Sequence, residues 1–173
     1  MKALPFIVTI SVGLLAGGVM WMLVPQQPAV AQGAIQKIYD HQDAGGASKD
    51  RDAIFYHVDL RGTQTDIHGT VSNVSELQNG GLDGMLFHGN KFHDTSKIVN
   101  IKVAGNTATV VTTFKHDYTM QNSTWNSEQG VIENFHEDGK VRDVWTRRFG
   151  EWWLESSVML RLTWLRNGGR LPV

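Results

Sequence analysis

Residues 141–164 read VRDVWTRRFGEWWLESSVMLRLTW, and their alternation decides the fold. Val141, Asp143, Trp145 and Arg147 alternate with Arg142, Val144, Thr146 and Arg148. Phe149-Gly150-Glu151 turns the chain. Beyond the turn, Trp152, Leu154, Ser156, Val158, Leu160, Leu162 and Trp164 fall on one face of a second strand. Glu155, Ser157, Arg161 and Thr163 fall on the other. A period of two with one apolar face marks half-buried antiparallel strands.

Upstream, Asp138-Gly139 is a hairpin signal, and the stretch from Trp125 to His136 reads as a further strand. Ala108, Val110, Thr112, Phe114 and His116 share one face of another strand, with threonines on its opposite face. Gly105-Asn106 turns that strand back on one in which Val99, Ile101 and Val103 alternate with Asn100 and Lys102. One or two short strands are expected between Leu60 and Thr70.

Further upstream the period becomes helical. Ile35, Ile38 and Tyr39 define a helix over residues 33–43, which Gly45-Gly46 is expected to stop. Ser48 is expected to cap a short second helix through Ala53, Ile54 and Phe55. Ser72 opens a third, with Val74, Leu77, Leu82 and Met85 on its apolar side, weakened by Gly80-Gly81. Helices followed by hairpins give an α+β class: three N-terminal helices packed on a strongly curved antiparallel sheet. Helices cannot fill the hollow of such a sheet, so a pocket lined by inner-face side chains is expected.

The first 31 residues read as a separate unit. Lys2 precedes an apolar run from Phe6 to Val24, and Ala29-Val30-Ala31 is a small-x-small site. These are the parts of a secretory signal peptide, with cleavage expected after Ala31. An uncleaved anchor is the rival reading, because 19 apolar residues approach a bilayer span. Cleavage leaves a single domain, 32–173, in the periplasm or medium, with no stable membrane anchor.

Of the 173 residues, 41% are hydrophobic, and 16 basic side chains face 17 acidic ones. So even a balance gives no footing for nucleic acid. There is no cysteine, which excludes disulfides, thiolate metal sites, a thiol nucleophile and lipoprotein acylation.

Several phrases resemble the SnoaL-like branch of the nuclear transport factor two-like superfamily. They are Lys49-Asp50-Arg51-Asp52-Ala53, Asp66-Ile67-His68-Gly69, Val103-Ala104-Gly105-Asn106-Thr107-Ala108, and the run from Asp143 to Leu154 with its Asp-x-Trp and turn-Gly-x-Trp. The resemblance covers about residues 33–164. It implies a cone of three helices on a bent sheet, often dimeric through the outer sheet face. Its activities include ketosteroid isomerase, scytalone dehydratase and polyketide cyclase, beside non-enzymatic binding and assembly domains. No position here matches the isomerase's general base or oxyanion tyrosine.

Six of the seven histidines lie beside or near an acid. A histidine oriented by a carboxylate can move a proton in either direction near neutrality. His93-Asp94 and His116-Asp117 are adjacent and point to opposite faces of a strand, so neither is a local pair. The candidate catalytic residues are His57 and Asp59, which share a face if extended, as His68 does with Asp66, and His116, which follows the apolar face of its strand. Tyr39, Phe114 and Trp145 are the candidate ligand contacts. No metal site is expected, since no His-x-His or His-Glu-x-x-His occurs, and no cofactor is expected. The leading expectation is an exported domain that binds a small, fairly apolar molecule without transforming it. The alternatives are an acid–base enzyme of isomerase, dehydratase or cyclase type, and a domain whose work is homodimeric assembly through the outer sheet face.

Overall fold

The structure, a computed structural model, describes residues 27–78, 89–121 and 132–172. Helix α1 (Pro28–Ser48) opens on Pro28, where a missing N–H costs nothing. Its buried stripe of Ala31, Ile35, Ile38 and Tyr39 packs against Ile98, Ala108, Val110, Trp145 and Trp152 of the sheet.

Gly45-Gly46 does not stop α1, which runs through both residues to a left-handed Lys49 at φ 58°. The glycines serve close approach instead. A Cβ on Gly45 would lie 2.6 Å from the Ala53 Cβ, and one on Gly46 would overlap the Asp94 carboxylate. Nor does Ser48 cap the second helix, since its hydroxyl donates back to the Ala44 carbonyl at 2.9 Å. Asp50 caps α2 (Arg51–Ile54) by accepting from the N–H groups of Asp52 and Ala53 at 3.0 and 3.2 Å.

Strands β1 (Val58–Thr65) and β2 (Val71–Asn73) form a short hairpin around an Asp66–Gly69 turn. Helix α3 (Val74–Glu76) follows with an Asn73/Glu76 capping box, one residue later than the expected start. Leu82 and Met85 lie outside the described residues. Four long strands complete the sheet: β3 (Gly89–Ala104), β4 (Thr107–Gln121), β5 (Ile132–Arg148) and β6 (Glu151–Arg166), with a short β7 (Gly169–Arg170) on the end of β6. The order is β2-β1-β6-β5-β4-β3. All neighbours are antiparallel except β1 and β6, which are parallel.

Asp138-Gly139 is not a hairpin, because β5 runs unbroken through it. Phe114, Gly139 and Leu162 lie side by side on β4, β5 and β6. A Cβ on Gly139 would overlap the Phe114 ring and stand 2.7 Å from the Arg161 carbonyl oxygen. The glycine admits the ring rather than turning the chain. Trp125 lies outside the described residues.

Bulges reset which side chains face inward. One between Ile98 and Asn100 turns Val99 out and Ile98 in. Two in β6 shift its register near Glu155 and near Leu160. Trp152, Leu154, Ser157, Met159, Leu162 and Trp164 therefore continue the inner rows, while Leu160 is exposed. The uniform alternation expected for β3 and β6 holds only between bulges.

The inner face carries two apolar clusters. One lies beneath α1. The other, Phe92, Tyr118 and Phe135 with Met120, Trp164 and Leu171, lies toward the far ends of β3 to β6. The site occupies the rows between them.

Candidate functional site

Between the clusters the inner face turns polar. Asp94 on β3, His116 on β4 and Glu137 on β5 are direct cross-strand neighbours in one row. Directly opposed residues point to the same face, with Cβ atoms about 5 Å apart. Helix α1 covers this row and brings Asp43 and Gly46 onto it. Asp43, Gly46, Asp94 and His116 border a cavity of about 280 Å³, with Tyr39, Thr112 and Asp143 on its floor.

Asp43 and Asp94 form the acidic wall. Asp43 accepts a hydrogen bond from the Ser96 hydroxyl at 2.9 Å. Burial raises the pKa of Asp43, and the neighbouring charge of Asp40 adds to this, while the Ser96 bond works against it. Burial and then the charge of Asp43 push Asp94 up to about 6. Like charges in one partly dry site resist ionising together. The absence of a side chain at Gly46 gives the Asp94 carboxylate its place against the helix.

His116 faces them. Burial pushes its imidazole down to about 4, so the ring is neutral at pH 7. Its Nδ1 stands 4.0 Å from Oε2 of Glu137. Burial raises Glu137 too, and its Oε1 accepts the Tyr118 hydroxyl at 2.7 Å.

The floor is a buried knot joining α1 to the sheet. Tyr39 donates its hydroxyl to Oδ2 of Asp143 and accepts from Thr112 Oγ1 and Trp145 Nε1, each at 3.2 Å. The Tyr39 and Trp145 rings meet edge-on at 5.3 Å. Burial pushes Asp143 up to about 6, against the opposing effects of Ser157 and Tyr39. Burial and the Asp143 charge hold Tyr39 far above the usual phenol range, so it stays a proton donor. Oδ1 of Asp143 is buried without a hydrogen bond of normal geometry.

Of the residues singled out from sequence, Tyr39, Phe114 and His116 line this cavity. Trp145 is fully buried behind Tyr39 and reaches it only through the knot. The other three lie elsewhere. His57, at φ 58°, is held by a hydrogen bond between Nδ1 and the Trp152 carbonyl at 2.8 Å and stacks on Trp153. Asp59 is engaged by Arg61 and Arg148 at 3.1 and 2.7 Å, and these bonds hold it well below the usual carboxylate range. His68 sits exposed in the Asp66 turn, where the Asp66 carboxylate accepts backbone N–H groups of His68 and Thr70. The pairs His57/Asp59 and Asp66/His68 thus do not converge.

Sequence reasoning passed over Asp43, Asp94, Glu137 and Asp143. Two of these carried a legible signal. Asp43 lies one turn beyond Tyr39 on the buried stripe that begins at Ile35, and Asp143 alternates with Val141 and Trp145 on an apolar strand face. A carboxylate on an apolar face is the informative exception. Among the described residues no cluster of three or more His, Asp or Glu is placed to hold a metal ion.

No family profile and no curated protein matches the sequence. Solved structures do match. A type 2 hexachlorocyclohexane dehydrochlorinase, LinA, aligns over 83% of this chain and 95% of its own, with 13% identity and a TM-score of 0.60. A scytalone dehydratase-like protein of Novosphingobium aromaticivorans aligns over 78% and 87%, with 11% identity and a TM-score of 0.60. An NTF-2-like protein of unknown function from Shewanella oneidensis aligns over 73% and 96%, with 14% identity and a TM-score of 0.54. Helices packed on one face of an open mixed sheet, in this order and over nearly the whole of these neighbours, give the chain the nuclear transport factor two-like α+β cone fold.

Proposed function

We propose that the domain is a cofactor-independent acid–base enzyme that moves a proton on a small, largely apolar molecule held in the cone. The observation that carries this reading is the meeting of Asp43, Asp94 and neutral His116 around one cavity. Asp94, at about 6, is mostly charged at pH 7 yet basic enough to take a proton. Once protonated it becomes an acid that hands the proton on. His116, neutral at that pH, offers an N–H to the oxygen on which charge develops. Such a pair serves isomerisation or elimination, and the names of the dehydrochlorinase and dehydratase-like neighbours denote eliminations.

Carriage without chemistry is the weaker reading. Burying carboxylates is costly, and a cavity meant only to hold an apolar molecule has no use for them. Export with cleavage after Ala31 and a homodimer through the outer sheet face belong to the same proposal. For the dimer, half-buried Val111, Val144 and Val158 surround Arg142 on that face.

The test needs no natural substrate. Small cyclic ketones and β-hydroxyketones are incubated with the protein in D2O, and exchange at the α-carbon is followed by NMR. Wild type should catalyse exchange on at least one compound. Asp94→Asn and His116→Gln should each lower the rate by about 100-fold or more while the fold is kept. Equal rates in wild type and both variants would remove the proposal. The rate should fall as pH drops through about 6, because protonation removes the base.

A further inference from the structure

A second cavity of about 380 Å³ adjoins the acidic one. Gln42, Ile54, Gln64, Leu154 and Ser157 line both, so the two chambers share a wall. The second chamber's origin is in the backbone. Where β1 joins β6, Val58 pairs with Leu154 and Thr63 with Ser156, so the four residues between Val58 and Thr63 span a step for which β6 uses one. Gly62 fills the tight point, where a Cβ would overlap the Glu155 carbonyl. At that step the pairing is interrupted, and the chamber lies over the interruption with Ile54, Phe55 and Val74 around it.

The chemistry of the two chambers differs. Beyond the shared wall, the second is lined by Phe55, Val58, Val74 and Leu77, with uncharged Thr63 and Ser156. Its one charged wall residue, Glu155, is bound to Arg148 at 2.5 Å. The first chamber has three carboxylates, Asp143 on its floor among them, and an imidazole. One offers proton chemistry and the other offers apolar area to a neutral group.

We infer that the substrate has two parts: an oxygen-bearing head that reacts in the acidic chamber, and a neutral hydrocarbon tail that lies in the second chamber, over the junction of β1 with β6. This inference rests on the acid–base reading for the head alone. The tail's chamber is a specificity pocket, and its apolar walls set the length accepted.

The experiment uses phenol and the 4-n-alkylphenols from methyl to hexyl as probes, with affinities measured by calorimetry. In the wild type, affinity should rise about three- to fourfold per added methylene until the chamber is filled, then level off. Val58→Phe and Leu77→Trp each add a ring to the chamber, one from β1 and one from just beyond α3, and neither residue lines the acidic cavity. Both should flatten the series and leave the affinity for phenol itself unchanged. Thermal melts identify a variant that fails to fold, and the other then carries the test. A wild-type series that is flat or shows no binding, or a slope that survives in both variants, overturns the proposal. The α-carbon exchange assay reports on the head independently. Exchange that persists with a flat series leaves the acid–base centre standing. A sloping series without exchange supports the chamber and removes the centre.

Discussion

Asp143 is fixed from four directions. Val141 and Trp145 set its inward direction on β5, Tyr39 reaches it from α1, and Ser157 lies opposite on β6. Its carboxyl is raised to about 6 in the folded state and has an ordinary value in the unfolded chain. The folded state therefore binds the proton more tightly. The resulting stability is fully present below about pH 4 and is lost as pH rises through about 6. Asp143→Asn has no such titration. Relative to this variant, the wild type should lose on the order of 3 kcal/mol between pH 4 and pH 7. Urea denaturation of both proteins at the two pH values measures the difference, and a constant difference would show that the carboxyl is not titrating as described. The inward direction of Asp143 was legible in the sequence from alternation alone. Its chemistry was not, because Tyr39 lies 104 residues away and only the fold brings them together.

At the scale of elements, the glycines misled most. Gly45-Gly46 and Asp138-Gly139 have the composition of a helix stop and a hairpin, yet each lies within a continuous element. A glycine that turns the chain and one that admits a neighbour look alike in sequence, since the neighbour comes from another element. The real turns carry a backbone signature that these lack: Gly105 at φ 60°, and Phe149 with Gly150 at φ 52° and 92°. Gly139→Ala should therefore destabilise the domain by overpacking, at a cost of about 1–3 kcal/mol. Phe114→Leu, which removes the ring beside it, should recover part of that cost in the double variant. The Arg161 carbonyl cannot move aside, so recovery should be incomplete. Thermal or urea denaturation of the two single variants and the double variant gives the coupling. Full additivity would mean that the ring is not what the glycine accommodates.

At the scale of the molecule, the order of helices and strands was readable because each long strand keeps its alternation between bulges. The place of the β1–β2 hairpin beside β6 was not, since the parallel pairing of β1 with β6 joins segments about 90 residues apart. The sequence marks Ala31 as the last residue of a cleaved leader, whereas the fold makes it a fully buried member of the α1 stripe, inside a helix that begins at Pro28. A domain beginning at Gln32 would lose the first turn of α1, the proline that starts it and one core contact. Against a domain beginning at Gln27, it should be less stable by about 1–2 kcal/mol, which lowers its melting temperature by a few degrees. Melting curves of the two forms measure this, and N-terminal sequencing of the protein from its native host shows which form exists. Equal melting temperatures would mean that the first turn of α1 contributes nothing to the core. A clear deficit, with Gln32 nonetheless found at the N-terminus, would mean that cleavage trims the folded domain to a less stable form.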